Sequence, residues 1–193
     1  MTKEKEIKIT GIILAGGKSS RMGYDKGLAI VHGKKIIECV YEVLKQVTDN
    51  VIIISNTHSY DDLGLLVFED IYKDKGPLSG IYTGLFNSTT QDNLIVACDM
   101  PFVSIEILNF ILNNSSGKQI VIPIVNGNME PLCGFYKKEI TRNLKELIEK
   151  EILPVHEVVR YFNILELSIE GKKMIQSSVF TNINSPDDLE KIS

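Results

Sequence analysis

Cysteine and histidine are scarce in this 193-residue chain, with three of each. Cys39, Cys98 and Cys133 are odd in number, far apart and set near apolar residues. They read as reduced core fillers, which excludes a disulfide framework and a thiolate zinc site. His32, His58 and His156 are isolated from one another, so the spacing of a histidine metal centre is missing too. The first eight residues lack the apolar stretch of a secretory leader, and no later run approaches the length that spans a bilayer. The expectation is a cytoplasmic protein without membrane contact. Repeats, low-complexity tracts and flexible linkers are also missing. With 44% hydrophobic residues the chain can bury a core unaided, so one domain over residues 1–193 is expected.

The charge balance excludes a second class. The formal net charge is −4, whereas duplex nucleic acid calls for a broad basic face. Between Ile7 and Ile37 the local balance reverses: Lys8, Lys18, Arg21, Lys26, Lys34 and Lys35 accompany one acid, Asp25. A cationic segment on an acidic protein points to an anionic ligand of limited size.

That segment contains the most informative stretch, Leu14-Ala-Gly-Gly-Lys-Ser-Ser-Arg-Met-Gly23, followed by Asp25 and Lys26. Ile12, Ile13 and Leu14 form a short apolar strand, and Gly16 with Gly17 frees the backbone to turn and present amides to an anion. Arg21 and Lys26 can converge on the same anion, one as a planar fork and the other as a mobile point charge. The spacing differs from a P-loop, because Gly17 to Gly23 is one residue too long. It also lacks the Gly-x-Gly-x-x-Gly dinucleotide fingerprint. A nucleoside triphosphate is the expected ligand.

Apolar residues at helical spacing from Ile36 to Val47 follow, then a strand over Val51 to Ile54. Leu65 to Phe68 and Leu94 to Cys98 are further strands, closing on Glu69-Asp70 and on Asp99. Gly76-Pro77-Leu78-Ser79-Gly80 reads as a rigid turn into a short helix near Ile81 to Phe86. Ser104 caps a helix over Ile105 to Leu112. Ile120 to Val125 ends at a hairpin signal, Asn126-Gly127, with Leu132 to Tyr136 as its partner. Helices around Ile140 to Ile148 and Val155 to Phe162, a strand over Ile164 to Leu167 and a terminal helix from Ser185-Pro186 complete the reading. Apolar strands separated by helices define an α/β fold with a parallel sheet covered on both faces. Ligands bind such sheets beyond the carboxyl ends of the strands, where the Gly-rich loop, Asp70 and Asp99 would all lie. Asp99 is the candidate metal ligand, since Mg²⁺ typically takes one or two carboxylates with phosphate oxygens and water.

Five segments, namely Leu14 to Lys26, Glu69-Asp70, Gly76 to Gly80, Cys98-Asp99-Met100-Pro101-Phe102 and Asn182-Ile183-Asn184-Ser185-Pro186, together resemble the molybdenum cofactor guanylyltransferases. They occur in family order and span essentially the whole chain. The resemblance implies a Rossmann-like, three-layer α/β/α nucleotidyltransferase domain with a mostly parallel sheet. It implies transfer of GMP from GTP to the phosphate of Mo-molybdopterin, with Mg²⁺ and release of pyrophosphate. Transient contact with molybdopterin-processing proteins is a further expectation.

Carried over by position, Leu14, Ala15, Gly16 and Gly17 would contact GTP and Lys26 its phosphates. Asp70 would contact the nucleotide, Asp99 the nucleotide and the metal, and Asn182 and Asn184 the pterin substrate. Arg21, Lys26 and Asp99 form the candidate catalytic set. One departure stands out: Ile54 occupies a strand end where the family can offer an asparagine, and Asn56 comes two residues later. Asp25 before Lys26 favours the guanylyltransferase over its cytidylyltransferase relative. That relative, or another nucleotidyltransferase acting on a phosphorylated small molecule, stays open as the alternative.

Overall fold

The computed structural model describes residues 8–16, 25–172, 175, 177–183 and 188. Of the terminal helix expected from Ser185, only Asp188 is among them, and it is helical. In chain order the strands are β1 (Ile9–Leu14), β2 (Ile30–Val31), β3 (Lys34–Lys35), β4 (Asn50–Ile54), β5 (Leu66–Phe68), β6 (Asp92–Ala97), β7 (Ile120–Val125), β8 (Asn128–Met129), β9 (Cys133–Lys137) and β10 (Ile164–Ser168). The α-helices are α1 (Ile36–Leu44), α2 (Pro77–Asn87), α3 (Ile105–Asn113), α4 (Thr141–Glu149) and α5 (Val155–Val158).

Eight of these strands form one sheet in the order β10-β7-β9-β6-β1-β4-β5, with β8 attached to β7. β1 pairs in parallel with both β4 and β6, and β4 with β5. β9 runs antiparallel between β6 and β7, which makes the sheet mostly rather than wholly parallel. β2 and β3 make a separate hairpin.

Alternation along the central strands builds three layers. Ile13, Val51, Ile53, Leu94 and Val96 face one side, where Ile37, Val40 and Leu44 of α1 and Ile107, Leu108 and Ile111 of α3 cover them. Ile12, Leu14, Ile52, Ile54 and Ile95 face the other, under Leu78, Ile81 and Leu85 of α2 and Leu144 and Ile148 of α4. Each central strand is therefore apolar on both faces, which explains why the sequence shows continuous runs.

One expectation needed correction, and the expected antiparallel pairing of β7 with β9 is present but short. Pro77 is the first residue of α2 instead of part of a turn before it, because a helix start has no use for the missing N–H. The direct hairpin partner of β7 is β8, through the left-handed Asn126 (φ 50°) and Gly127 (φ 78°). The expected partner is β9, which pairs with β7 only through Ile120 and Val121 and devotes five positions to β6.

Candidate active site

The carboxyl ends of β1, β4, β5 and β6 converge because backbone pairing continues past the strands. Ala15 N–H donates to the Ile54 carbonyl at 2.8 Å, Cys98 N–H to Leu14 at 3.0 Å, and Ser55 N–H to Phe68 at 2.9 Å. Leu14, Ala15 and Gly16 thus end at the middle of this edge, Asp70 to one side and Asp99 to the other. α2 lies close against β1 on the faces of Gly80 and Gly84, where an added Cβ would stand 3.2 Å from Leu14 and 2.6 Å from Ile12.

On the β6 side, Lys26 Nζ stands 3.7 Å from Asp99 Oδ2, and each side chain is 22% exposed. Burial pushes the Asp99 carboxyl above the usual carboxylate range, and the Lys26 charge opposes that shift. Asp99 is therefore a desolvated acid whose ionised form is only partly compensated by its lysine. The Asp99 carbonyl also accepts from Ile183 N–H at 3.0 Å. Ile183 is fully buried with Ala29, Val31 and Ile36, which seats the C-terminal segment beside the site. Its neighbour Asn182 has a buried Oδ1 with no hydrogen-bond partner among the described residues. Such an acceptor is costly to leave unpaired, and a substrate N–H or a cation would satisfy it.

Glu130 is a residue that sequence reasoning missed. It lies just before β9, which runs antiparallel to β6 and so starts at the edge where β6 ends. Leu132, two residues on, accepts from Ala97 N–H at 2.8 Å. Burial raises the Glu130 carboxyl, and the charge on Asp99 raises it further. Its only sequence signal is a carboxylate before a returning strand, Met129-Glu130-Pro131-Leu132.

On the β4 side, Asn56 Nδ2 donates to Asp70 Oδ2 at 2.7 Å, and Asp70 N–H donates to Asn56 Oδ1 at 3.0 Å. Lys73 Nζ reaches the same Asn56 oxygen at 3.1 Å. A Cβ on Gly16 would lie 3.7 Å from Asp70 Oδ2 and 4.0 Å from Asn56 Nδ2, so this pair flanks the loop directly. The next residues are stitched onto α2, with Ile71 N–H donating to Thr83 Oγ1 and Tyr72 N–H to Ser79 Oγ. Asp70 Oδ1 is buried without a partner among the described residues. Ile54 packs in the core, and Asn56 occupies the polar place next to Asp70.

The structure thus brings Leu14, Ala15, Gly16, Lys26, Asp70, Asp99 and Asn182 to one sheet edge. Gly17, Arg21 and Asn184 lie outside the described residues. Among the described residues no three His, Cys, Asp or Glu side chains converge as a metal cluster, and no helix is long and apolar enough to cross a membrane.

A lysine facing a desolvated aspartate over the carboxyl edge of a doubly covered sheet suits the handling of a polyphosphate, which places the chain among nucleotide-binding α/β proteins. Comparison with known proteins narrows the class. The profile of the MobA-like NTP transferase domain matches residues 11–161, and the chain belongs to that family of enzymes. It is 37% identical over 195 residues to a protein of Clostridium perfringens (strain 13 / Type A) named "Probable molybdenum cofactor guanylyltransferase", covering 96% of each chain. A protein of the same name from Flavobacterium johnsoniae is 34% identical over 186 residues, again with 96% of each covered. The solved molybdopterin-guanine dinucleotide biosynthesis protein A of Archaeoglobus fulgidus shares the fold, with a TM-score of 0.79 and 24% identity over 95% of this chain and 96% of that one.

Proposed function

We propose that the enzyme transfers GMP from GTP to the terminal phosphate of Mo-molybdopterin, yielding molybdopterin guanine dinucleotide and pyrophosphate. The observation that carries this reading is Lys26 facing Asp99 at 3.7 Å beside the Gly16 loop, in a chain whose relatives bear the guanylyltransferase name.

In the proposed step a phosphate oxygen of molybdopterin attacks the α-phosphorus of GTP. The new P–O bond forms as the bond to the β-phosphate bridging oxygen breaks, and that oxygen leaves with pyrophosphate. No general base is required, because a phosphate monoester has its second ionisation near pH ~6 and is largely a dianion at neutral pH. Repulsion between anions is the main obstacle, so positioning and charge stabilisation fall to the protein. The backbone at Gly16 and Gly17 would receive the nucleotide. Lys26 and Arg21 would neutralise the phosphates. The clamped Asp70 carboxylate offers acceptors for N–H or O–H groups of the nucleoside, and the unpaired Asn182 oxygen suits an N–H of the pterin.

Mg²⁺ fits the carboxylate side of this edge, because Asp99 is desolvated and incompletely compensated by Lys26. Asp99 would hold it, with phosphate oxygens and water completing the shell. Bound there, it would polarise the phosphoryl oxygens and neutralise charge on the leaving group.

Pyrophosphate release with molybdopterin and GTP, CTP or UTP tests both reaction and base. Release with GTP well above the others supports the proposal. A preference for CTP would assign the cytidylyltransferase reaction, and nucleotide binding with no release under any condition would remove the catalytic role.

A further inference from the structure

Asp25 immediately precedes Lys26 in sequence, and a carboxylate next to a lysine is positioned to neutralise it. In the structure both oxygens of the Asp25 carboxylate accept hydrogen bonds from other donors. Oδ1 accepts the Gly27 N–H at 3.1 Å and the Tyr60 hydroxyl, while Oδ2 accepts the Thr57 hydroxyl at 3.3 Å. The chain then turns through a short 3-10 segment, Lys26–Leu28, with Asp25 as its cap. Tyr60 is fully buried. A Cβ on Gly27 would stand 2.5 Å from the Tyr60 hydroxyl oxygen, so only glycine leaves room for the phenol to reach Asp25. Burial holds the phenol firmly in its protonated, donating form.

We propose that Tyr60 and Asp25 are positioning residues for Lys26, a phenol and a carboxylate that lock the Asp25-Lys26-Gly27 turn so that the ammonium faces Asp99 and the nucleotide phosphates. The inference rests on the proposed role of Lys26 toward phosphate. Its content is separate: Tyr60 acts through Asp25, 35 residues away in sequence. A charge-assisted hydrogen bond inside a protein is strong and directional, which is what fixing a long, flexible lysine requires.

The test is a double-mutant cycle between Tyr60→Phe and Lys26→Ala, read as GTP affinity by calorimetry and as turnover with molybdopterin. Tyr60→Phe alone should weaken GTP binding or turnover roughly tenfold, equivalent to the loss of one charge-assisted hydrogen bond. In the Lys26→Ala background the same change should have almost no further effect, because the group it positions is gone. A merely structural role would cost the same factor in both backgrounds, and that additivity would overturn the inference. Asp25→Asn keeps the size of the side chain and serves if Tyr60→Phe unfolds. It should show the same non-additivity while near-ultraviolet circular dichroism stays native. If the wild type binds GTP but transfers nothing, the function above fails while the cycle in binding still decides this inference. If Lys26→Ala leaves GTP affinity unchanged, both fall.

Discussion

Asn56 and Asp70 hold each other in a closed pair, with the amide donating to the carboxylate at 2.7 Å and the Asp70 backbone N–H returning to the amide oxygen at 3.0 Å. This fixes Oδ2 and leaves Oδ1 without a hydrogen-bond partner among the described residues, buried beside the Gly16 loop and α2. Asn56→Ala should therefore release the Asp70 carboxylate and weaken GTP binding about tenfold, the scale of one hydrogen bond to a charged group. Asp70→Ala should do at least as much. Calorimetry with GTP on both variants checks the order, and normal affinity in Asn56→Ala would show that the pair serves only the fold.

On the opposite side of the loop, the role proposed for Lys26 and Asp99 rests on charge instead of shape. Lys26→Ala or Asp99→Asn should each reduce kcat/KM by about 100- to 1,000-fold, the range for losing one preorganised charge contact in a transition state. The two losses should be strongly non-additive, since the groups face each other at 3.7 Å. Steady-state pyrophosphate release in the single and double variants measures this.

The architecture and half of the site were legible because both rest on local signals. Ile12 to Leu14, Val51 to Ile54 and Leu94 to Ala97 are apolar on both faces, so their runs announce buried parallel strands, and the residues just after them fall at the ligand edge by topology alone. Asp99 was read in that way, and Lys26 from the cationic Gly-rich segment that follows β1. Tyr60 was not, because its contact to Asp25 spans 35 residues and a single tyrosine between Ser59 and Asp61 carries no periodicity. Glu130 was hidden for another reason: it feels the charge of Asp99 because β9 inserts antiparallel beside β6, a pairing that no local pattern encodes. Asn56 and Asp70 were each visible as polar residues after strands, but their pairing was not.

The raised Asp99 carboxyl has a consequence for stability that runs opposite to an ordinary salt-bridged aspartate. Its folded-state pKa lies above the ordinary aspartate value of 3.8, with burial as the main cause. The folded protein therefore binds this proton more tightly than the unfolded chain. The stabilisation is complete below pH 3.8 and is lost as pH rises through the folded-state value. Urea midpoints of wild type and Asp99→Asn, measured from pH 4 to 7, should diverge with the variant gaining on the wild type as pH increases. Lys26→Met should steepen the wild-type trend, because the lysine charge is what opposes the shift. A wild type that gains on Asp99→Asn with rising pH would mean that Asp99 is stabilised as an anion in the folded state.

Gly80 and Gly84 sit one helical turn apart on α2, and they make separable predictions because their neighbours on β1 differ. A Cβ at Gly84 would lie 2.6 Å from Ile12 Cγ2 and 3.1 Å from its Cδ1, in a cluster with no exposed members to yield. Gly84→Ala would gain about 1 kcal/mol of helix propensity and lose about 1–3 kcal/mol to overpacking, for a net destabilisation of order 1 kcal/mol. At Gly80 the nearest atom is Leu14 Cδ2 at 3.2 Å, the end of a side chain that can turn. Gly80→Ala should be neutral or slightly stabilising to urea. Its effect should appear in GTP affinity instead, because the same Cβ would stand 3.8 Å from Asp70 Oδ1 and press Leu14 at the start of the loop. Urea denaturation and GTP calorimetry on the two variants should thus give opposite rankings, with Gly84→Ala the less stable protein and Gly80→Ala the weaker binder. The same ranking in both measurements would mean that α2 supports the sheet without shaping the nucleotide edge.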